Sequence, residues 1–187
     1  AELVISELLT IGKIYKADNQ YYIFTNDEKR LICISDEPLE LRTLFTEWGI
    51  NASENLYKYI LNELYVYCVK NAENVEIHRF AYYNPTTFTL YLYNGIREIL
   101  KITTDNIETI ENGDEGVMFM ELKNYQPFKL VETDKKIDYV EKYLTDRLNI
   151  DSEASILDLS TQRKIAKIWI YSLFFESIMK TKPIFTA

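Results

Sequence analysis

The apolar positions divide the chain into three stretches of different period. In the first, Ile11 to Lys16 and Gln20 to Thr25 are β-rich runs on either side of Ala17-Asp18-Asn19, a group that predicts a hairpin turn. Arg30 to Ser35 holds Leu31, Ile32, Cys33 and Ile34 in succession, as expected of a strand covered on both faces. Asp36 is placed to cap a helix with Pro38 in its first turn, where a missing N–H is tolerated. Leu41, Leu44, Phe45 and Trp48 then follow the i, i+3, i+4, i+7 rule, and Gly49 ends the run. A second helix is expected from Ser53 to about Val69, with Tyr57, Ile60, Leu61, Leu64 and Cys68 on one face.

The middle stretch predicts an antiparallel β-meander. Val75 to Tyr83 and Thr87 to Tyr93 are β-rich, and the second alternates: Phe88, Leu90 and Leu92 on one side, Thr87, Thr89, Tyr91 and Tyr93 on the other. Asn94-Gly95 predicts a hairpin because both residues tolerate positive φ. Ile96 to Ile102 returns, Ile107 to Glu111 follows, and Asn112-Gly113 turns the chain into Gly116 to Leu122.

The last stretch reads as helical. Ile137, Val140, Leu144 and Leu148 form a stripe at helical spacing after a start at Thr133-Asp134. Asp158 or Ser160 is placed to cap a final helix reaching about Lys180. Its apolar residues, from Ile165 through Trp169 to Ile178, go nearly all round, so burial on several sides is expected. Pro183 then opens an apolar strand, Ile184-Phe185. The fold class is α+β: a mixed segment over 1–72, the central meander over 73–131, and a helical segment over 132–187.

Charge and composition narrow the function. A formal charge of −8 argues against a general nucleic-acid coat, because phosphate binding rests on Lys and Arg displacing counterions. Local patches remain open. Arg163, Lys164 and Lys167 cluster on the final helix, and Arg79, Arg97 and Lys101 on the meander; with nearby aromatics, both sets are candidate single-strand contacts. The 15 Tyr and 9 Phe suit half-buried sheet faces and contact surfaces. Cys33 and Cys68 each sit in an apolar run and read as reduced, buried thiols of a cytoplasmic protein. Leu3 to Leu9, broken by Glu7, does not make a signal peptide, and Ile165 to Met179 is too short and too charged for a membrane span.

Catalytic patterns are missing from the sequence. One histidine, His78, cannot make a two-His metal site, and five scattered glycines build no phosphate loop. By alternation His78 shares a strand face with Glu76 and Phe80, with Arg79 opposite. The acidic turn Asn112 to Gly116 lacks the spacing of a calcium loop. The paired carboxylates Asp36-Glu37, Asp114-Glu115 and Asp151/Glu153 fall at turns and helix starts, where solvation and the helix dipole account for them. No cofactor is expected.

Over residues 90–187 the order of pieces resembles the region before the ATP-binding domain in phage-, plasmid- and virus-type primase-helicases of the superfamily 3 AAA+ kind. The pieces are Leu92-Tyr93-Asn94-Gly95 with Ile99 to Ile102, Asn112-Gly113-Asp114-Glu115-Gly116-Val117-Met118-Phe119, Gln126-Pro127-Phe128, the helix Ile165 to Met179, and Lys182-Pro183-Ile184-Phe185. Residues 1–89 match only in layout. With Ala1 in place of an initiator Met and a last residue in mid-strand by pattern, the chain is expected to be a piece of a longer protein. The resemblance implies a non-catalytic part of a replication helicase that positions DNA or assists ring assembly beside an ATPase domain of the same protein. No ATPase residue carries over, since the family's phosphate loop lies beyond the matched pieces. The alternative from composition alone is a stand-alone protein-interaction module with an aromatic sheet surface.

Overall fold

A computed structural model of the chain describes residues 1–35, 39–122, 126–131, 137–150 and 156–175. It is an α+β protein with one mixed and one antiparallel four-stranded sheet. The expected cap at Asp36 with Pro38, the helix start at Thr133-Asp134, the pair Asp151/Glu153, the end of the last helix near Lys180 and the strand at Ile184-Phe185 lie outside the described residues.

The first sheet has the order β3-β2-β1-β4, from β1 (Gly12–Ala17), β2 (Gln20–Thr25), β3 (Leu31–Cys33) and β4 (Glu73–Asn74). Asp18 and Asn19 both adopt positive φ, 49° and 62°, which matches the two-residue hairpin turn to the twist of its strands. One face of this sheet is packed by α1 (Glu2–Ile11), α2 (Leu39–Glu47) and α3 (Asn55–Asn71) through Leu8, Ile14, Ile23, Ile32, Leu41, Phe45 and Leu64. The face read from sequence for α3 is the buried one: Tyr57, Ile60, Leu61, Leu64 and Cys68. The other sheet face carries Ala17, Tyr22, Phe24 and Leu31, and Met118, Val75 and Ile77 cover it. Leu31 and Ile32 therefore enter opposite cores, as a strand buried on both sides requires. Helix α1 was not anticipated.

The run Val75 to Tyr83 is not one strand. It divides into β5 (Ile77–His78) and β6 (Ala81–Asn84), because its two halves find different partners. The first half pairs in parallel with β10 (Met118–Phe119), and the second pairs antiparallel with β7 (Thr89–Tyr93). The meander proper is β6-β7-β8-β9, with β8 (Glu98–Ile102) and β9 (Ile107–Glu111). The Gly116 to Leu122 run leaves it to close against β5. At the β7–β8 connection only Gly95 has positive φ (96°); Asn94 instead accepts the N–H groups of Ile96, Arg97 and Glu98 on its Oδ1 at 3.0–3.2 Å. The hairpin forms, but a side-chain loop replaces the expected tight turn.

The C-terminal stretch departs most from expectation. The helix expected over Ile137 to Leu148 is a short α4 (Tyr139–Tyr143) followed by a 3-10 turn at Thr145–Arg147, and its cap is Asp138. Leu144 of the expected stripe is 49% exposed. Helix α5 (Leu159–Ser172) is capped by Asp158, which accepts the Thr161 N–H at 3.0 Å. No residue of α5 is buried, and Ile165 and Ile168 are 51% and 68% exposed. The expectation of burial on several sides is wrong for Leu159–Ser172: none of its residues is buried, and the described residues that lie against it are mainly those of α4 and its following turn.

Candidate functional site

The six basic residues proposed from sequence fall into two settings. On the second sheet, Arg97 donates from Nε to Glu111 Oε1 at 3.1 Å. Lys101, on β8, pairs with Glu108 at 2.9 Å and with Glu115 at 2.5 Å. Glu115 also accepts the Tyr91 hydroxyl at 2.9 Å. The Lys101 ammonium, then the Tyr91 hydroxyl, hold the Glu115 carboxyl below its usual range, and Glu115 in turn raises the Lys101 ammonium. These contacts fix a residue in a backbone region that L side chains avoid, since Glu115 has φ 55°. Arg79 lies apart from this network, exposed on the link between β5 and β6, and has no ion-pair partner among the described residues.

On α5 the pattern repeats. Arg163 Nη1 lies 3.3 Å from Asp146 Oδ1, and Lys167 pairs with Asp138 and lies 3.4 Å from Glu141. Lys164, one residue along the helix, is exposed and has no ion pair among the described residues. Four of the six cations are thus engaged by the chain's own carboxylates. Spacing along the sequence showed the cations; it could not show their partners, which come from β9, the acidic turn and the α4 region.

A cleft of about 540 Å³ opens between Ala17-Asp18, the stretch from Val75 to Ala81, and Leu173-Phe174. It was not visible in the sequence, because three distant segments build it. The Phe80 and Phe174 rings stand 5.9 Å apart beside it, and Arg79 borders it. His78 is buried; its ring stacks on Tyr82 at 3.9 Å and lies 5.5 Å from Phe119. Its Nδ1 is 3.9 Å from Glu76 Oε1, too long for a hydrogen bond. Such a histidine is a packed aromatic of the core. Among the described residues no group of three or more His, Cys, Asp or Glu side chains is placed to hold a metal ion.

The two faces of the meander differ in chemistry. Thr89, Tyr91 and Tyr93 point inward, where Tyr93 stacks on Phe119 at 5.2 Å and Ile99 and Val117 complete the cluster. The outer face presents Leu90, Leu92, Leu100 and Ile102, all half-buried, and ends at Ile107, which is 50% exposed. The surface that the sheet offers is therefore mainly aliphatic: Tyr91 and Tyr93 turn to the core, while Tyr83, paired with Leu90, lies on the outer side and meets the Phe175 ring at 4.9 Å. No helix among the described residues is long and apolar enough to cross a membrane. No protein-family model, curated protein or solved structure matches the chain.

Proposed function

We propose that this chain is a non-catalytic module of a DNA-replication protein of the primase-helicase kind. It positions single-stranded DNA or assists assembly while α5 seats against a neighbouring ATPase domain. The observation that carries the reading is the exposure of Ile165 and Ile168, on the side of α5 turned away from Arg163 and Lys167. Burying an aliphatic side chain of this size contributes roughly 1.5–3 kcal/mol, so a helix that leaves two of them in water is suited to a second surface. The order of pieces from Leu92 to Phe185 supports an ATPase domain as that surface. Exposed Arg79 and Lys164, the first beside the Phe80–Phe174 pair, supply cations and ring faces of the kind a single strand uses. Cys33 and Cys68 are not joined in a disulfide, which suits a cytoplasmic setting.

The test is a paired substitution, Ile165→Asp with Ile168→Asp, made in this chain alone and in the full-length parent protein. The isolated chain is expected to melt within about 2 °C of the wild type, as for exposed sites. The parent should lose assembly or its ATP-dependent activity. A parent that assembles and works normally with both aspartates would contradict the reading.

A second reading, a stand-alone protein-interaction module, is favoured by the aliphatic outer face of the meander. It predicts instead that Ile107→Lys abolishes partner binding while the α5 substitutions leave it intact.

A further inference from the structure

The α4 region and α5 are joined by charge more than by packing. No residue of α4 or α5 is buried, and among the described residues of the link between them Thr145 is the buried one. What crosses between them is a set of ion pairs: Asp138 and Glu141 on Lys167, and Asp146 on Arg163. Asp138 serves twice, since its Oδ1 also accepts the Glu141 N–H at 2.9 Å as the α4 cap. The fit is incomplete on the cation side. Arg163 Nε is shielded from solvent and has no hydrogen-bond partner among the described residues, so Asp146 engages the guanidinium at one corner only.

Arg163 and Lys167, with Lys164 between them, are the cations that a nucleic-acid backbone would use on this helix. Carboxylates standing at 3.3–3.4 Å from those groups occupy them as phosphates would. Exposed pairs of this kind are weak and screened by salt, so a strand offering several phosphates at once can displace them. We infer that the α4 region is an internal competitor: Asp138, Glu141 and Asp146 withhold the α5 cations from single-stranded DNA until the strand displaces them. This rests on the DNA-positioning part of the proposed function.

The experiment compares wild type with the triple variant Asp138→Asn, Glu141→Gln, Asp146→Asn by fluorescence anisotropy of a labelled oligothymidine across a salt series. Asparagine caps helices as well as aspartate does, so α4 should persist in the variant, which circular dichroism checks. The variant is expected to bind about tenfold more tightly at low salt. Its slope of log affinity against log salt should steepen by about 1.4, for two phosphates gained. Adding Arg163→Gln and Lys167→Gln should return it to the wild-type value. A charge-matched control, Glu2→Gln with Glu7→Gln and Glu40→Gln, should gain much less. Equal binding by wild type and triple variant would overturn the competition while leaving DNA positioning in place. A gain that survives loss of Arg163 and Lys167, or is matched by the control, would overturn it as a mere effect of net charge. No binding by either protein at low salt would overturn both the competition and the DNA reading.

Discussion

Asn112 and Phe119 hold each other by reciprocal hydrogen bonds: Asn112 Nδ2 donates to the Phe119 carbonyl at 2.9 Å, and its Oδ1 accepts the Phe119 N–H at 2.8 Å. The same Nδ2 donates to the Lys29 carbonyl at 2.9 Å, tying the β2–β3 turn to β10. A fully buried amide is thus the joint between the helix-covered sheet and the meander. Asn112→Ala should destabilise by about 2–4 kcal/mol in urea unfolding, because two buried backbone groups of Phe119 and the partly buried Lys29 carbonyl lose a partner. Asn112→Asp should do no better, since a carboxylate cannot donate to either carbonyl. A loss below about 1 kcal/mol for both would show that water or local movement satisfies those groups.

Gly113, next along, has φ 91°, and a Cβ there would lie 2.6 Å from Phe24 Cζ. Gly49 has a similar φ of 78° with nothing within 4 Å of its would-be Cβ. Gly49→Ala should therefore cost about 1 kcal/mol, for backbone conformation alone, and Gly113→Ala distinctly more. Equal losses in denaturant unfolding would mean that the Phe24 ring moves freely.

Much of the fold was legible where burial follows a local period. The α3 stripe from Tyr57 to Cys68 and the Asp18-Asn19 turn were readable because helix period and turn chemistry are written within a few residues. What failed was non-local or contextual. Parallel pairing of Met118-Phe119 with Ile77-His78 leaves no local mark, so one strand was expected where two serve different partners. Helix α1 has Ala1 at its N-cap with no side-chain cap bond, so the usual start signal is missing. An apolar residue such as Ile168 records a preference for burial without saying that a covering surface is present. The basic candidates were visible as residue types, yet the Glu115, Asp138 and Asp146 contacts that engage them depend on tertiary structure.

Burial contrasts sharply between the two ends of the chain. Phe45 is fully buried and packs edge-on against Tyr57 at 5.6 Å. Phe45→Ala should cost about 3–5 kcal/mol. Trp169→Ala, in a helix with no buried residue, should cost about 1 kcal/mol or less. Thermal or urea melts of the two variants check the contrast, and similar losses would show that α5 is part of the cooperative core.

The thiols should differ in the same way. Cys68 is fully buried, and burial pushes its thiol up to about 11, whereas Cys33 is only partly covered. A thiolate reagent at neutral pH should modify Cys33 quickly and Cys68 only on unfolding. Rapid labelling of both would show that the α3 core opens readily.

Asp158 supplies a pH signature for α5. Hydrogen bonds from Thr161, side chain first, hold its carboxyl down at about 2 against an ordinary 3.8. The folded value is the depressed one, so its contribution to the helix is present above 3.8 and is lost as pH falls towards about 2. An NMR titration should find the low midpoint, and Thr161→Val should move it up; a wild-type midpoint near 3.8 would mean that the cap is not formed.

Amide hydrogen exchange across Ile165 to Tyr171, measured in this chain alone and in the full-length parent protein, tests the exposed side of α5 most directly. The account predicts fast exchange in the isolated chain and protection at least about tenfold greater in a longer protein that carries the proposed neighbouring domain against Ile165 and Ile168. The same exchange rate in both proteins would contradict it.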